Sequence, residues 1–258
     1  MWHVAGIVAV VAALVAVSPA GAITFGSIDA EHTNVGAILV FSLRSQRWFE
    51  FCSGTLISER VFLTAGHCTD GLLAANVGPD RIRVSFALDL FARGAKWLEI
   101  ESYANHPDYN WGPTSDPHDV GVVILKKPVN HLAPATLAPI GILDELEAAG
   151  SLDGASFTVV GYGADETGSP TGVRMVAFSE FLSLHDAWLY MSQNPHTGDS
   201  GTCGGDSGGP TFFEVGGAEV LVAITSWGDA ACIATGINYR IDLASSQAFL
   251  ADSIAATS

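Results

Sequence analysis

Basic residues are scarce in this 258-residue chain, and their scarcity excludes one class of function. There are 11 Lys and Arg against 27 Asp and Glu, which gives a formal net charge of −16. Nucleic-acid binding needs clustered positive charge to neutralise phosphates, so we expect no nucleic-acid partner. Charged residues make up only 15% of the chain and apolar residues 48%, which excludes a coiled coil or an acidic disordered tail.

Long hydrophobic runs are also missing, with one informative exception near the N-terminus. Val4–Val17 is an uninterrupted run of Val, Ala, Leu, Ile and Gly, shorter than the ~20 apolar residues that span a bilayer. Such a run followed by small residues ending at Ala22 is typical of a secretory signal peptide, although no Lys or Arg precedes it. A buried strand and an uncleaved anchor are the alternatives. We therefore predict a signal peptide over 1–22 and, over 23–258, an extracellular protein with no membrane association.

Cysteine is sparse, with four residues in the chain and no Cys-x-x-Cys pair. In an oxidising compartment four cysteines form two disulfides, and three pairings are open. Cys68 follows His67 directly, but the sequence supplies no second ligand pair of the kind that a zinc site needs. We therefore expect no metal and no cofactor.

The chain after residue 22 consists mostly of short apolar runs separated by Gly, Pro, Asn and Asp. Typical runs are Gly54–Thr64, Val120–Leu125 and Val220–Ser226. Many strands punctuated in this way indicate an all-β fold, a sandwich or a pair of barrels, rather than β-α-β units. Two stretches have helical spacing, Ile142–Ala149 and Leu243–Ala256. No repeat or linker divides residues 23–258, so we predict one compact unit.

One glycine-rich segment carries a candidate nucleophile. Residues 204–210 are Gly-Gly-Asp-Ser-Gly-Gly-Pro, and the glycines around Ser207 permit backbone conformations that bulkier residues resist. A serine hydroxyl attacks efficiently when a base takes its proton and hydrogen-bond donors meet the developing oxyanion. A turn here can point the backbone amides of Gly205 and Ser207 at one position, as an oxyanion hole. The alternative is an ordinary glycine-rich surface turn.

A candidate base and an orienting carboxylate occur in two other segments. His67 follows an apolar run and precedes Cys68, so a disulfide there would fix the loop that carries the imidazole. Asp119 precedes a Val-Gly-Val-Val-Ile-Leu run that is continuous enough for a buried strand. At that position it can accept a hydrogen bond from an imidazole nitrogen and set the tautomer. Each residue alone also fits a structural role, and Asp116 is a competing carboxylate.

Together these segments resemble the chymotrypsin/trypsin-like serine proteases, whose catalytic residues occur in the chain order His, Asp, Ser. The strings Thr-Ala-Gly-His-Cys at 64–68 and Gly-Asp-Ser-Gly-Gly-Pro at 205–210 carry the resemblance, which extends over nearly all of 23–258. It implies two antiparallel six-stranded β-barrels, with the site in the cleft between them, and a C-terminal helix, which Leu243–Ala256 fits.

The resemblance implies a function as well as a fold. The chain would be a secreted, bacterial-type serine endopeptidase, a monomer acting on polypeptide substrates through an acyl-enzyme. Its triad would be His67, Asp119 and Ser207, with Gly205 and Ser207 supplying the oxyanion hole. The implied disulfides are Cys52 with Cys68 and Cys203 with Cys232.

Substrate specificity is implied less directly. The substrate-binding residues would be Gly201, Thr202, Ser226, Trp227, Gly228 and Gly236, and an extended peptide would add as a strand beside Ser226 to Gly228. By the resemblance, Gly201 would lie at the pocket floor, where trypsin-like members have an Asp for Arg or Lys. An uncharged, open pocket favours an apolar or aromatic residue at the cleavage site. Asp199 and Asp229 are close enough in sequence to add negative potential.

The resemblance also suggests how the enzyme becomes active. In relatives a newly released N-terminal Ile folds inward, and its ammonium group pairs with the Asp that precedes the nucleophile. Here those residues would be Ile23 and Asp206, and removal of the signal peptide would itself create the terminus. Phe25 departs from the small residue that is usual in this segment.

Two other functions compete with proteolysis. An inactive homologue acting as a binding module is the main alternative, because a fold does not guarantee function. Inactive relatives usually lack a triad residue, whereas all three are present here. An esterase with a nucleophile elbow is excluded: Gly-x-Ser-x-Gly occurs at 205–209, but that layout needs a His after the Ser, and none follows Ser207.

Overall fold

The computed structural model describes residues 23–112 and 114–257, and the predicted signal peptide lies outside the described residues. Within these residues the chain forms thirteen strands and three α-helices. The strands are β1 (Ser27–Ile28), β2 (Val35–Ser42), β3 (Arg47–Leu56), β4 (Val61–Thr64), β5 (Ile82–Ser85), β6 (Leu98–Asn105), β7 (Gly121–Leu125), β8 (Ser156–Gly161), β9 (Met175–Leu184), β10 (Trp188–Ser192), β11 (Pro210–Val215), β12 (Ala218–Gly228) and β13 (Thr235–Arg240). The helices are α1 (Gly66–Ala74), α2 (Ile142–Ala148) and α3 (Ala244–Ala255).

Strands β2 to β7 form a closed antiparallel barrel in the order β2-β3-β4-β7-β6-β5. The first six residues of β2 and all of β4 are buried, as their apolar sequences predict. Strand β3 starts with exposed and half-buried residues and becomes fully buried from Cys52 onward, where it reaches the second barrel. The apolar run 54–64 contains two strands, because a turn in which Ser58 Oγ accepts from Val61 N (3.2 Å) separates β3 from β4.

Strands β8 to β13 form the second barrel in the order β9-β10-β13-β12-β11-β8, closed by pairing of β8 with β9. The short strand β1 adds to the outside of β9. The prediction of two six-stranded antiparallel barrels is therefore confirmed. The apolar core of the first barrel continues across the interface to Tyr162, Ile224 and Tyr239, which joins the two barrels into one packed unit.

Two of the three helices were predicted, and one was not. Helices α2 and α3 end within a residue of the predicted bounds. Helix α1 is missed because its sequence, Gly-His-Cys-Thr-Asp-Gly-Leu-Leu-Ala, contains two glycines and follows Ala65, which offers no side-chain cap. Tertiary contacts stabilise it instead, since Cys68 and Leu72 face the core. His67 therefore lies in the first turn of a helix rather than in a loop.

Each of the two barrels carries one disulfide. Cys52 is bonded to Cys68, which links β3 to α1, and Cys203 is bonded to Cys232, as the family resemblance implies. Closing the 16-residue separation between Cys52 and Cys68 stabilises the fold by about 3 kcal/mol in the chain-entropy description. Among the described residues no helix is long and apolar enough to cross a membrane.

Candidate active site

Three hydrogen bonds converge on the Asp119 carboxylate at the end of the first barrel, and two of them come from His67. The Asp119 carboxylate is completely buried and lies 3.0 Å from His67 Nδ1 through Oδ2. The backbone amide of His67 donates to Asp119 Oδ1 at 2.7 Å. Ser226 Oγ, which comes from β12 of the other barrel, donates to Oδ2. With Nδ1–H directed at the carboxylate, Nε2 is the ring nitrogen left to accept a proton.

The loop that carries Ser207 is clamped to the first barrel by Ser53. The Ser53 amide donates to Ser207 O at 2.9 Å, and Ser53 Oγ donates to Gly205 O at 3.1 Å. Gly208, with φ of 80°, packs against the segment that leads to His67. A side-chain carbon at Gly208 would lie 2.1 Å from Thr64 Oγ1 and 2.6 Å from Ala65 N, so only glycine allows this approach. The half-buried Ser207 is thereby fixed against the end of β4 and Ala65, which lead into the helix that carries His67.

The two predicted oxyanion-hole donors, the amides of Gly205 and Ser207, lie in the loop that precedes β11. Gly205 has φ of 99°, a conformation that L side chains rarely adopt. Within the part of the chain that the structure describes, the amides of Gly205 and Ser207 donate to no backbone acceptor. They are available to a substrate oxygen, as such a hole requires.

His67 also lies close to two sulfurs, but not in a way that could hold a metal ion. Its ligand atom and the sulfurs of Cys52 and Cys68 all fall within 4.8 Å of one another. The two sulfurs are bonded to each other, so neither is a thiolate available for coordination. The arrangement is a disulfide packed beside the histidine.

Asp206 is a buried carboxyl directly before Ser207. Burial raises its pKa to about 7, although backbone hydrogen bonds from Cys203 and Gly163 act to lower it. Both amides donate at 2.8 Å. Glu50, on β3, is a second acid in this region: burial and the nearby charge of Asp206 raise its pKa well above the usual range. Glu50 precedes the apolar end of β3 and belongs to no motif, so the sequence gives no sign that its carboxyl is buried near Asp206.

The N-terminal segment docks against the same region. Ile23 is completely buried. Thr24 pairs with Gly201 through backbone hydrogen bonds of 2.9 and 3.2 Å, and its Oγ1 donates to Gly201 O and Cys232 O. No hydrogen bond joins Ile23 to Asp206 among the described residues, whose Asp206 carboxylate is bonded to the Cys203 and Gly163 amides. The predicted ion pair needs a free amino terminus at Ile23, and the chain continues before that residue, so the pair stays a prediction.

A cavity of about 420 Å³ opens beside Ser207. Four of the six predicted substrate-binding residues line it, namely Thr202, Ser226, Trp227 and Gly228. The other two, Gly201 and Gly236, instead contact the side chain of Gln193. The prediction of pocket walls left open by glycine is thus incomplete, because another side chain fills that space.

The two acidic residues near the pocket differ in position. Asp229 lines the cavity, and its Oδ1 accepts from the amides of Ala234 and Thr235 at 2.8 Å. Asp199 is turned toward its own loop, where Ser192 Oγ and Thr197 Oγ1 donate to its Oδ2 at 2.6 and 2.7 Å. Asp116, the competitor of Asp119, accepts instead from the Tyr239 hydroxyl at 2.8 Å.

One aromatic residue that sequence reasoning did not single out borders His67. The rings of Trp111 and His67 lie 5.4 Å apart at 56°, and Trp111 is 53% exposed. Its ring therefore packs beside the imidazole of His67 and remains about half exposed to solvent. Trp111 lies in a polar stretch without strand or helix periodicity, so no sequence pattern identifies it.

Comparison with known proteins places the chain in a family. The family model described as Trypsin matches residues 25–248. Similar proteins include "CLIP domain-containing serine protease B4" of Anopheles gambiae, 24% identical over 221 residues, 78% of this chain and 61% of that protein. "Trypsin beta" of Drosophila erecta is 27% identical over 191 residues, 69% of this chain and 68% of that protein. "Fibrinolytic enzyme, isozyme C" of Lumbricus rubellus is 26% identical over 201 residues, 71% of this chain and 78% of that protein.

Two features of these relatives bear on how far the comparison extends. The match covers 61% of the Anopheles protein, so the chain spans less than two thirds of the length of that relative. The relatives come from insects and another invertebrate, and the expectation of a bacterial-type member is not supported. The match to the family model covers most of the chain, and together with the two barrels it shows that this protein belongs to the trypsin family of serine proteases.

Proposed function

We propose that the protein is a secreted serine endopeptidase that hydrolyses polypeptides through an acyl-enzyme on Ser207. The observation that carries the proposal is the buried Asp119 carboxylate, which binds both His67 N and His67 Nδ1 beside the clamped Ser207 loop. A carboxylate in that position fixes the tautomer needed for general-base catalysis and stabilises the imidazolium that forms. A merely structural histidine would not require such a contact.

The proposed reaction gives each of these residues one role. His67 Nε2 takes the Ser207 hydroxyl proton while Oγ attacks the scissile carbonyl carbon, and the carbonyl oxygen becomes an oxyanion facing the amides of Gly205 and Ser207. The protonated His67 gives its proton to the leaving amine as the C–N bond breaks, which leaves an ester on Ser207. Water then loses a proton to His67, attacks the ester and releases the acid product.

Specificity for an uncharged side chain is part of the proposal. Gly201 carries no charge to pair with Arg or Lys, and the cavity is lined largely by small or neutral residues. Asp229 is the charged residue of the lining, and its carboxylate is occupied by backbone amides. We therefore propose apolar or aromatic residues at the cleavage site.

Digestion of a denatured protein tests activity and preference together. The new C-termini, sequenced by mass spectrometry, are expected to be mainly aromatic or large apolar residues. Termini that are mainly Arg or Lys would contradict the preference, and a folded protein that cuts nothing would favour the inactive binding module.

We further propose that activity requires a free amino terminus at Ile23. Ile23 has φ of 69°, which a β-branched residue rarely adopts. A chain that begins at Ile23 has no preceding carbonyl and is free of this strain. Its ammonium group would have the buried Asp206 as a partner.

A chain with one extra alanine before Ile23 is expected to lose about 10²-fold or more in kcat/KM, because an uncompensated buried charge costs ~3–5 kcal/mol. The pH dependence has a defined sign. The folded-state pKa of Asp206 is raised to about 7. The free energy of unfolding of the extended chain should therefore fall as the pH rises from ~4 to ~7. The chain that begins at Ile23 should instead keep its stability until the amine deprotonates near pH ~8.

Thermal unfolding of both chains at pH 5 and pH 7.5, with peptide hydrolysis alongside, measures these differences. In Asp206→Asn the two termini should give the same activity and the same pH dependence. Full activity of the extended chain would overturn the activation proposal.

A further inference from the structure

The reaction proposed above makes no use of Glu50, although this residue lies beside the loop that carries Ser207. Glu50 is a half-buried residue of β3, and its Oε1 is buried without a hydrogen-bond partner among the described residues. The charge that acts on its carboxyl is that of Asp206, which has the same sign. A buried carboxyl that receives no hydrogen bond is costly to ionise, so this environment favours the neutral acid.

The Glu50 carboxyl packs against Gly205, one of the two predicted oxyanion-hole donors. A side-chain carbon added at Gly205 would lie 2.8 Å from Glu50 Oε2 and 3.1 Å from Oε1. Two bonds of about 1.5 Å separate that carbon from the Gly205 amide nitrogen, so Oε2 lies within about 6 Å of the nitrogen. The carboxyl is therefore a close neighbour of a donor that would face the oxyanion.

The elements packed around Glu50 bring it no compensating charge. Its partner on β2 is Leu39, and the loop after β8 places Gly163 Cα 2.8 Å from the carbon added at Gly205. The loop before β11 contributes Asp206, whose Oδ1 accepts from the Gly163 amide at 2.8 Å. Burial and the charge of Asp206 both raise the pKa of Glu50 well above its usual range. Glu50 is therefore neutral at a pH at which an ordinary glutamate is ionised.

We propose that Glu50 limits catalysis at alkaline pH, because its ionisation places a negative charge beside the Gly205 amide and opposes the oxyanion that forms there. The inference rests on the proteolytic function proposed above, and Glu50 is a positioning residue that acts through Gly205. Two like charges at this separation inside a protein change a rate about tenfold or more. Because the oxyanion exists in the transition state and not in the bound substrate, ionisation should lower kcat and leave KM nearly unchanged.

The test is the pH profile of kcat for the unmodified enzyme and for Glu50→Gln, both beginning at Ile23. Glutamine has the shape of the neutral acid and cannot ionise. Dividing the kcat of Glu50→Gln by that of the unmodified enzyme removes the ionisations that both proteins share, those of His67 and of the amino terminus. This ratio should be near one at pH 5.5 and should rise about fivefold or more by pH 9.5, with similar KM values in both proteins.

Glu214→Gln is the matched control. It makes the same exchange at an exposed residue near the far end of β11, and its ratio to the unmodified enzyme should stay near one at every pH. A purely structural role of Glu50 would give a ratio that differs from one but does not vary with pH, and that result overturns the inference. If Glu50→Gln fails to fold, Glu50→Met, which is neutral and of similar length, should give the same rising ratio.

Titration of the carboxyl groups in Ser207→Ala separates this inference from the proteolytic function. Carbon-13 NMR of protein labelled at its glutamate carboxyls should show one group that titrates well above the others, and Glu50→Gln in the same background should remove that signal. An ordinary titration of Glu50 overturns the inference whatever the protein cleaves. A ratio independent of pH in an enzyme that cleaves peptides overturns the role of Glu50 and leaves proteolysis intact. A folded protein in which Glu50 titrates as expected but which cleaves nothing overturns the protease function, and this role of Glu50 with it.

Discussion

Replacing Ser207 with alanine is expected to lower kcat by about 10⁵- to 10⁶-fold with little change in KM. The hydroxyl is the atom that forms the acyl-enzyme, and the variant keeps the loop because its contacts run through backbone atoms. Ser53 N donates to Ser207 O, and Ser53 Oγ donates to Gly205 O, neither of which is altered. Steady-state hydrolysis of an activated peptide ester and of a peptide amide measures the effect.

The double variant with His67→Ala distinguishes a triad from independent contributions. Residues that act as one unit lose nothing further once the first is removed, so the double variant should be no slower than Ser207→Ala. Ser53→Ala removes the Oγ contact to Gly205 O and the hydrogen bond that Oγ accepts from Tyr162 N, but it leaves the reacting groups in place, so it should keep most of the activity. A Ser207→Ala protein within tenfold of the original rate would rule out Ser207 as nucleophile.

The second large effect is expected at Asp119. Asp119→Asn should lower kcat by about 10⁴-fold at neutral pH. The carboxylate receives His67 N, His67 Nδ1 and Ser226 Oγ, and an amide group can accept through only one of its two terminal atoms. The amide nitrogen favours the imidazole tautomer with its hydrogen on Nε2, which cannot take the Ser207 proton.

Asp116→Asn is the control for this prediction, since Asp116 is a nearby carboxylate that bonds the Tyr239 hydroxyl and the His118 amide instead. Its kcat should stay within about tenfold of the original, because it contacts neither the base nor the nucleophile. Equal losses in Asp116→Asn and Asp119→Asn would show a general electrostatic effect of negative charge, not orientation of His67.

The sequence predicts the fold correctly and identifies a candidate triad because both depend on local strings. Thr-Ala-Gly-His-Cys and Gly-Asp-Ser-Gly-Gly-Pro are short, and the order of His67, Asp119 and Ser207 along the chain distinguishes this family from other serine hydrolases. The two disulfides follow from the same resemblance and are present. Helix α1 was missed because its two glycines conceal a helix that the disulfide and the core hold in place.

Residues that act through distant contacts could not be predicted in this way. The position of Gln193 depends on three segments that meet only in the folded barrel, around residues 193, 201 and 236. Ser53 lies in a buried strand and looks like any small core residue until the loop of Ser207 is placed against it. No period or motif marks either residue, since their partners lie on other strands.

The most direct test of the central claim is intact-protein mass spectrometry before and after reaction with a serine-directed fluorophosphonate. The account predicts a chain whose mass begins at Ile23 and which gains a single adduct that peptide mapping assigns to Ser207. Only a serine activated by a base and an oxyanion site reacts in this way. A folded chain beginning at Ile23 that acquires no adduct, or acquires it at another residue, would contradict the account.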